Sequence, residues 1–68
     1  MSIAMKLYGQ SSDLSKKHNV NQFDLISKLA EPFHPYIKTN TQGDSIYTFE
    51  DKSQFILTIN ETVQVKLF

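Results

Sequence analysis

The chain has 68 residues with seven basic and seven acidic side chains, no arginine and no cysteine, so its formal net charge is zero. A chain this short buries only roughly 60% of the surface it exposes when unfolded, and without disulfides or a Cys/His zinc staple its stability must come from packing or from a second copy. Balanced charge without arginine argues against a dedicated nucleic-acid binder, and the lack of any apolar run near about 20 residues argues against a membrane-spanning helix.

From the start of the chain, Ile3, Met5 and Leu7 alternate with Ala4, Lys6 and Tyr8 up to Gly9 and Gln10. That spacing fits a strand able to join a sheet, and whether it does so is open. Met1 to Gly9 is too short for a signal peptide, and the absence of cysteine is compatible with a reducing compartment. The chain is read as a soluble cytoplasmic protein forming one small domain over residues 1–68.

Ser11, Ser12 and Asp13 offer N-cap chemistry for a short helix through His18. Asn21 is the better start signal, because its side-chain oxygen can accept from a backbone amide while Asp24 places negative charge in the first turn. Phe23, Ile26, Leu29, Ala30 and Phe33 then recur at helical spacing, and Leu25 widens the stripe. Pro32 ends this main amphipathic helix near Ala30 or Glu31. Phe33 to Ile37 is apolar enough to pack beneath it, and Lys38 to Asp44 is a polar loop.

From Ser45 onward the pattern changes to period two. Ser45–Glu50, a strand through Phe55, Leu57 and Ile59, and a strand through Val63, Val65 and Leu67 make an antiparallel meander. Same-face pairing sets Ile59 opposite Val63, Leu57 opposite Val65 and Phe55 opposite Leu67, with Asn60 suited to left-handed angles in the turn. In the preceding hairpin a two-residue loop would set Thr48 against Phe55. A five-residue loop would match Phe49 with Phe55 and Tyr47 with Leu57, and is preferred for its aromatic pairs. No internal repeat, low-complexity tract or linker is visible. The fold class is α+β: a three- to four-stranded antiparallel sheet on one main helix and a short preceding one.

No cofactor, metal or catalytic residue is nominated. His18 and His34 are too far apart in sequence, and too poorly supplied with further ligands, for a zinc site. No serine stands in a recognisable nucleophile constellation, and Gly9 and Gly43 are isolated, so no phosphate-binding loop exists. Two binding arrangements remain. Tyr36, Tyr47, Phe49, Ile56 and Phe68 exceed what one small core can hide and are contact candidates for a protein partner or a second copy; the edge of the meander, Ser45–Glu50 or Thr62–Phe68, can accept an added strand unless Ile3–Leu7 pairs there.

Residues 11–30, with a turn at His18-Asn19-Val20-Asn21, resemble the helix-turn-helix of small phage repressors. That resemblance implies that Val20, Leu25 and Leu29 pack, that Asn21 and Gln22 read bases, and that Lys16, Lys17 and Lys28 meet phosphates. Asn19 where glycine is usual, the lack of a fully developed preceding helix, and Asp24 facing phosphates depart from the motif. A non-enzymatic protein-interaction module, acting as a homodimer or as an accessory, regulatory or inhibitory subunit, is the leading expectation, a helix-turn-helix DNA-binding regulator the alternative.

Overall fold

Helix α1 spans Ile3–His18 in the computed structural model, which describes residues 2–66. The strand fitted to Ile3–Leu7 and the short helix expected after Ser11 are thus one continuous helix. Ile3, Ala4, Leu7, Tyr8 and Ser11 form its core-facing stripe at helical spacing. Met5, which gave the alternation its middle member, is exposed. Ser11 continues the stripe although polar, because its hydroxyl donates to the Tyr8 carbonyl at 3.0 Å and accepts from Gln22 Nε2 at 3.1 Å. Burial of a hydroxyl is tolerated when both functions are satisfied.

The N-terminus of α1 is capped by side chains from two places. Met5 N–H donates to Ser2 Oγ at 3.1 Å, Ile3 N–H to Asp51 Oδ2 at 2.8 Å and Ala4 N–H to Ser53 Oγ at 3.1 Å. Amides that a helix leaves without internal partners are therefore met partly by a distant turn. Asp51 also accepts from the Ser53 hydroxyl and, at 3.0 Å, from Ser53 N–H. The Ser53 hydroxyl and then the Ile3 amide hold its carboxyl below the ordinary value of 3.8. At the other end Asn19 adopts left-handed angles (φ 53°), Val20 N–H bonds the Ser15 carbonyl at 3.1 Å, and Lys16, Lys17 and His18 lie where cations complement the helix dipole.

Helix α2 spans Gln22–Ala30 and starts as the sequence expects, with Asn21 Oδ1 accepting from Phe23 N–H at 2.8 Å and Asp24 in the first turn. Pro32 stands in a 3-10 turn, Glu31–Phe33, that follows directly. His34 then reverses the chain with φ 50°.

Four strands complete the fold in spatial order β1-β2-β3-β4: β1 Tyr36–Thr39, β2 Ser45–Thr48, β3 Gln54–Leu57 and β4 Val63–Lys66. The fourth strand of the sheet is therefore Tyr36–Thr39, taken from the expected packing stretch and polar loop, and not the N-terminal segment. Strands begin at Tyr36, Ser45, Gln54 and Val63, every ninth residue, a backbone repeat without a matching sequence repeat.

One turn geometry generates that period. Asn40, Phe49 and Thr58 each donate N–H to the carbonyl four residues on, at Asp44, Ser53 and Thr62, and each accepts from the residue three on, at Gly43, Lys52 and Glu61. Those last three have φ 87°, 69° and 62°, the left-handed position that closes a three-residue hairpin loop. The register follows from it. Phe55 pairs with Tyr47 and Val65, and Leu57 with Ser45 and Val63. The expected pairs Ile59–Val63, Leu57–Val65, Phe49–Phe55 and Thr48–Phe55 are displaced, and the left-handed residue is Glu61 rather than Asn60. The alignment that set Phe55 opposite Leu67 reached beyond the described residues.

The inner face of the sheet carries Tyr47, Phe55, Leu57, Val63 and Val65, which close on Ala4 and Leu7 of α1 and Ile26 and Ala30 of α2, with Phe49 beyond the end of β2. Tyr47 stacks on Phe55 at 4.6 Å between centroids, and Phe33 meets Phe49 edge-on at 6.2 Å. Helix α1 packs on α2 and against β4. The outer face holds two cross-strand rows, Lys38–Ile46–Ile56–Gln64 and Tyr36–Thr48–Gln54–Lys66, away from both helices.

Candidate functional site: the β1 edge and its groove

Of the two edges expected from the sequence, Ser45–Glu50 is interior as β2 while β4 does end the sheet; the other edge is β1, which is exposed at all four positions. Its partner β2 is half-buried throughout and β3 is mostly buried, so cover fades towards the β1 edge. Tyr36 is 69% exposed on the outer face and Ile37 52% exposed on the inner one. The direction of the edge's backbone groups follows from the turn. Asn40 N–H bonds the Asp44 carbonyl, which makes Asn40 and Asp44 a hydrogen-bonded pair. Counting back by two along the register makes Lys38–Ile46 and Tyr36–Thr48 bonded pairs as well. Ile37 and Thr39 therefore turn their N–H and C=O groups outward, away from β2.

Beside this edge a groove of about 410 Å³ runs between the end of α2 and the sheet, lined by Ser27, Glu31, His34, Pro35, Ile37 and Tyr47. Its walls are apolar at Pro35, Ile37 and the Tyr47 ring, with Glu31 and His34 exposed on the rim. The Ser27 hydroxyl donates to the Asp24 carbonyl at 2.9 Å, which leaves it as an acceptor towards the groove. His34 owes its place to the left-handed turn that brings its N–H onto the Glu31 carbonyl at 3.1 Å. Among the described residues neither histidine is hydrogen-bonded through its side chain to a serine or a carboxylate. A surface of this kind can accept an apolar side chain flanked by backbone amides.

The residues nominated from the sequence divide between this site and other parts of the fold. Tyr36 belongs to the edge and Tyr47 to the groove wall, although Tyr47 is also committed to Phe55. Phe49 is buried in the core under Phe33 and offers no surface. Ile56 sits at the centre of the outer face, only 8% exposed, and Phe68 lies outside the described residues. Ile37 and the groove rim escaped the sequence reading, because Phe33 to Ile37 looked like packing material; the alternation Tyr36-Ile37-Lys38-Thr39 was the available signal.

In the helix-turn-helix reading, Lys16, Lys17 and Lys28 are exposed. Asn21 is engaged as a cap, and Gln22 points into the helix pair, donating to the Tyr8 carbonyl at 3.2 Å as well as to Ser11. Val20, expected to pack beneath the turn, is 47% exposed. No helix among the described residues is long and apolar enough to cross a membrane. Comparison of the chain with protein-family models, curated proteins and solved structures produced no match in any of the three.

Proposed function

We propose that this protein is a non-enzymatic interaction module of the cytoplasm, which docks a protein through the β1 edge and the groove beside it. The observation supporting this reading is the exposure of β1 at every position. Outward N–H and C=O groups offer a ladder to an added strand, and neighbouring apolar side chains offer it anchorage. Aromatic residues such as Tyr36 bury a large area at low entropic cost and are enriched in interface centres.

A photo-crosslinking amino acid at position 36, introduced in the source cell, tests the proposal against the same group at the exposed helical position Lys6. Adducts with a defined protein at 36 and none at 6 support it. The same adducts at both positions, or none at 36, remove it.

A second reading, DNA binding, is favoured by the exposed run Lys16-Lys17-His18 at the end of α1. Its readers Asn21 and Gln22 are both occupied within the fold, which makes it the weaker proposal. Anisotropy titrations at two salt concentrations test it: binding that falls with salt and is lost in Lys16→Glu/Lys17→Glu supports it, and no binding at low salt dismisses it.

A further inference from the structure

Taking β1 as the interaction edge, as proposed above, we infer that its partner is a second copy of the same chain, β1 running antiparallel to β1 about a two-fold axis at Ile37. Two sheets of four strands then join into one continuous sheet, with the helices of both copies on the same face.

The edge narrows such a pairing to one register. An axis normal to the sheet keeps inner faces with inner faces, so opposed residues must both be odd-numbered or both even-numbered within β1. Outward backbone groups stand only at Ile37 and Thr39 of the strand, and this limits the registers. With Ile37 opposite Ile37 of the second copy, these two exchange N–H···O bonds, and each Thr39 N–H reaches the Pro35 carbonyl of the other chain, for about four bonds in all. Pro35 has no N–H to give and ends the ladder there.

A shift that sets Ile37 opposite Thr39 makes a similar number of bonds but brings Lys38 against Lys38, with Cβ atoms about 4.5–5.5 Å apart, where like charges are destabilising. Carrying that shift further, with Thr39 opposite Thr39, sets Ile37 against Thr41, which lies in the turn. A shift the other way, with Ile37 opposite Pro35, leaves only about two bonds, because Pro35 has no N–H to give. The first register avoids all three faults.

Charge and shape agree with it. On the outer face each Lys38 stands opposite Tyr36 of the second copy, an ammonium beside an aromatic ring. On the inner face the two Ile37 side chains, each 52% exposed in a single copy, form a β-branched pair that covers both. Because Ile37 lines the groove, the two grooves meet at the axis. A two-fold contact of this kind closes on itself, whereas pairing β1 with β4 of another copy would propagate without end.

Sedimentation of the intact chain from micromolar to millimolar concentration, with single-cysteine variants, tests this inference. The expected result is a reversible rise from 7.8 kDa to twice that mass and no further. Since the chain has no cysteine, Ile37→Cys and Lys38→Cys report the register without background. Bonded pairs have Cα atoms about 5.5 Å apart, inside disulfide range, whereas diagonal neighbours at about 7–8 Å are beyond it. Ile37→Cys should crosslink to completion under mild oxidation, and Lys38→Cys should lag by about tenfold or more.

A wild-type chain that stays at 7.8 kDa throughout, masses that grow past the dimer, or Lys38→Cys crosslinking as fast as Ile37→Cys each overturn the inference. If the chain stays monomeric while position 36 still traps a different protein, the second-copy inference fails and the edge reading survives. If neither association nor an adduct occurs, both fail.

Discussion

Replacing Ser53 by alanine tests whether the β2–β3 turn caps α1. Ser53 is 2% exposed, and its Oγ accepts from Ala4 N–H at 3.1 Å while donating to Asp51. Alanine removes both functions and adds nothing in their place. Ala4 is fully buried, so its amide cannot turn to water, and an unsatisfied buried donor costs about 1–3 kcal/mol. Losing a helix-capping hydroxyl costs about 0.5–2 kcal/mol on its own, but the two estimates describe the same lost bond and do not add.

A destabilisation of about 1.5–2 kcal/mol is expected, which for a chain of this size lowers Tm by roughly 10 °C. Urea unfolding followed by far-UV circular dichroism should show a lower midpoint with an unchanged slope. Ser2→Ala removes the exposed cap on Met5 N–H and should cost less, about 0.5–1 kcal/mol. If Ser53→Ala unfolds within about 0.3 kcal/mol of wild type, or if Ser2→Ala costs more, the tertiary cap carries no weight and the reasoning is wrong.

Asp51 gives this cap a pH dependence. Its folded-state carboxyl is held below the ordinary 3.8 by the Ser53 hydroxyl and the Ile3 amide, so the ionised form is favoured by folding. Its contribution is present above the ordinary carboxylate value and fades as pH falls through the folded one; the stability difference between wild type and Asp51→Asn should shrink below about pH 4 in denaturation series. Gly9 lies mid-helix with open space where a Cβ would stand, so Gly9→Ala should stabilise by about 0.5–1 kcal/mol. Gly43→Ala should do the reverse by more than about 1 kcal/mol, because φ is 87° and the new Cβ would lie 2.9 Å from Ile59 Cγ2. Lys52→Gly and Glu61→Gly relieve left-handed angles of 69° and 62°, and each should raise stability by about 0.5 kcal/mol in thermal melts.

The α+β class, the meander and the Asn21 cap were legible because each rests on local chemistry: period-two alternation, and an acceptor placed ahead of an apolar stripe. Helix α1 was not, since its core face passes from Leu7 to Ser11 and loses its apolar signature. Ser11 is buried only because Gln22, eleven residues on, supplies a donor. Part of its N-terminal cap lay out of reach as well, in Asp51 and Ser53, although Ser2 supplies the local part. The hairpin registers slipped because Lys52 and Glu61, which are not turn-formers by propensity, occupy the position that Gly43 fills in the first turn. Strand β1 went unseen because an uncovered strand has no buried face to impose strong alternation. Tyr36, nominated as a large aromatic with too little core to hide in, is exposed on β1, whereas Phe49 met the same criterion and is buried beneath Phe33.

If β1 is the docking edge, it is open in the isolated fold and becomes paired when the protein acts. Residue-resolved amide hydrogen exchange addresses it directly. In dilute solution Ile37 and Thr39 should exchange without protection while Lys38, bonded to β2, is slow; at high concentration Ile37 and Thr39 should become protected alongside it. Protection of Ile37 and Thr39 equal to that of Lys38 in dilute solution, or no gain at any concentration or with a trapped partner, contradicts the account.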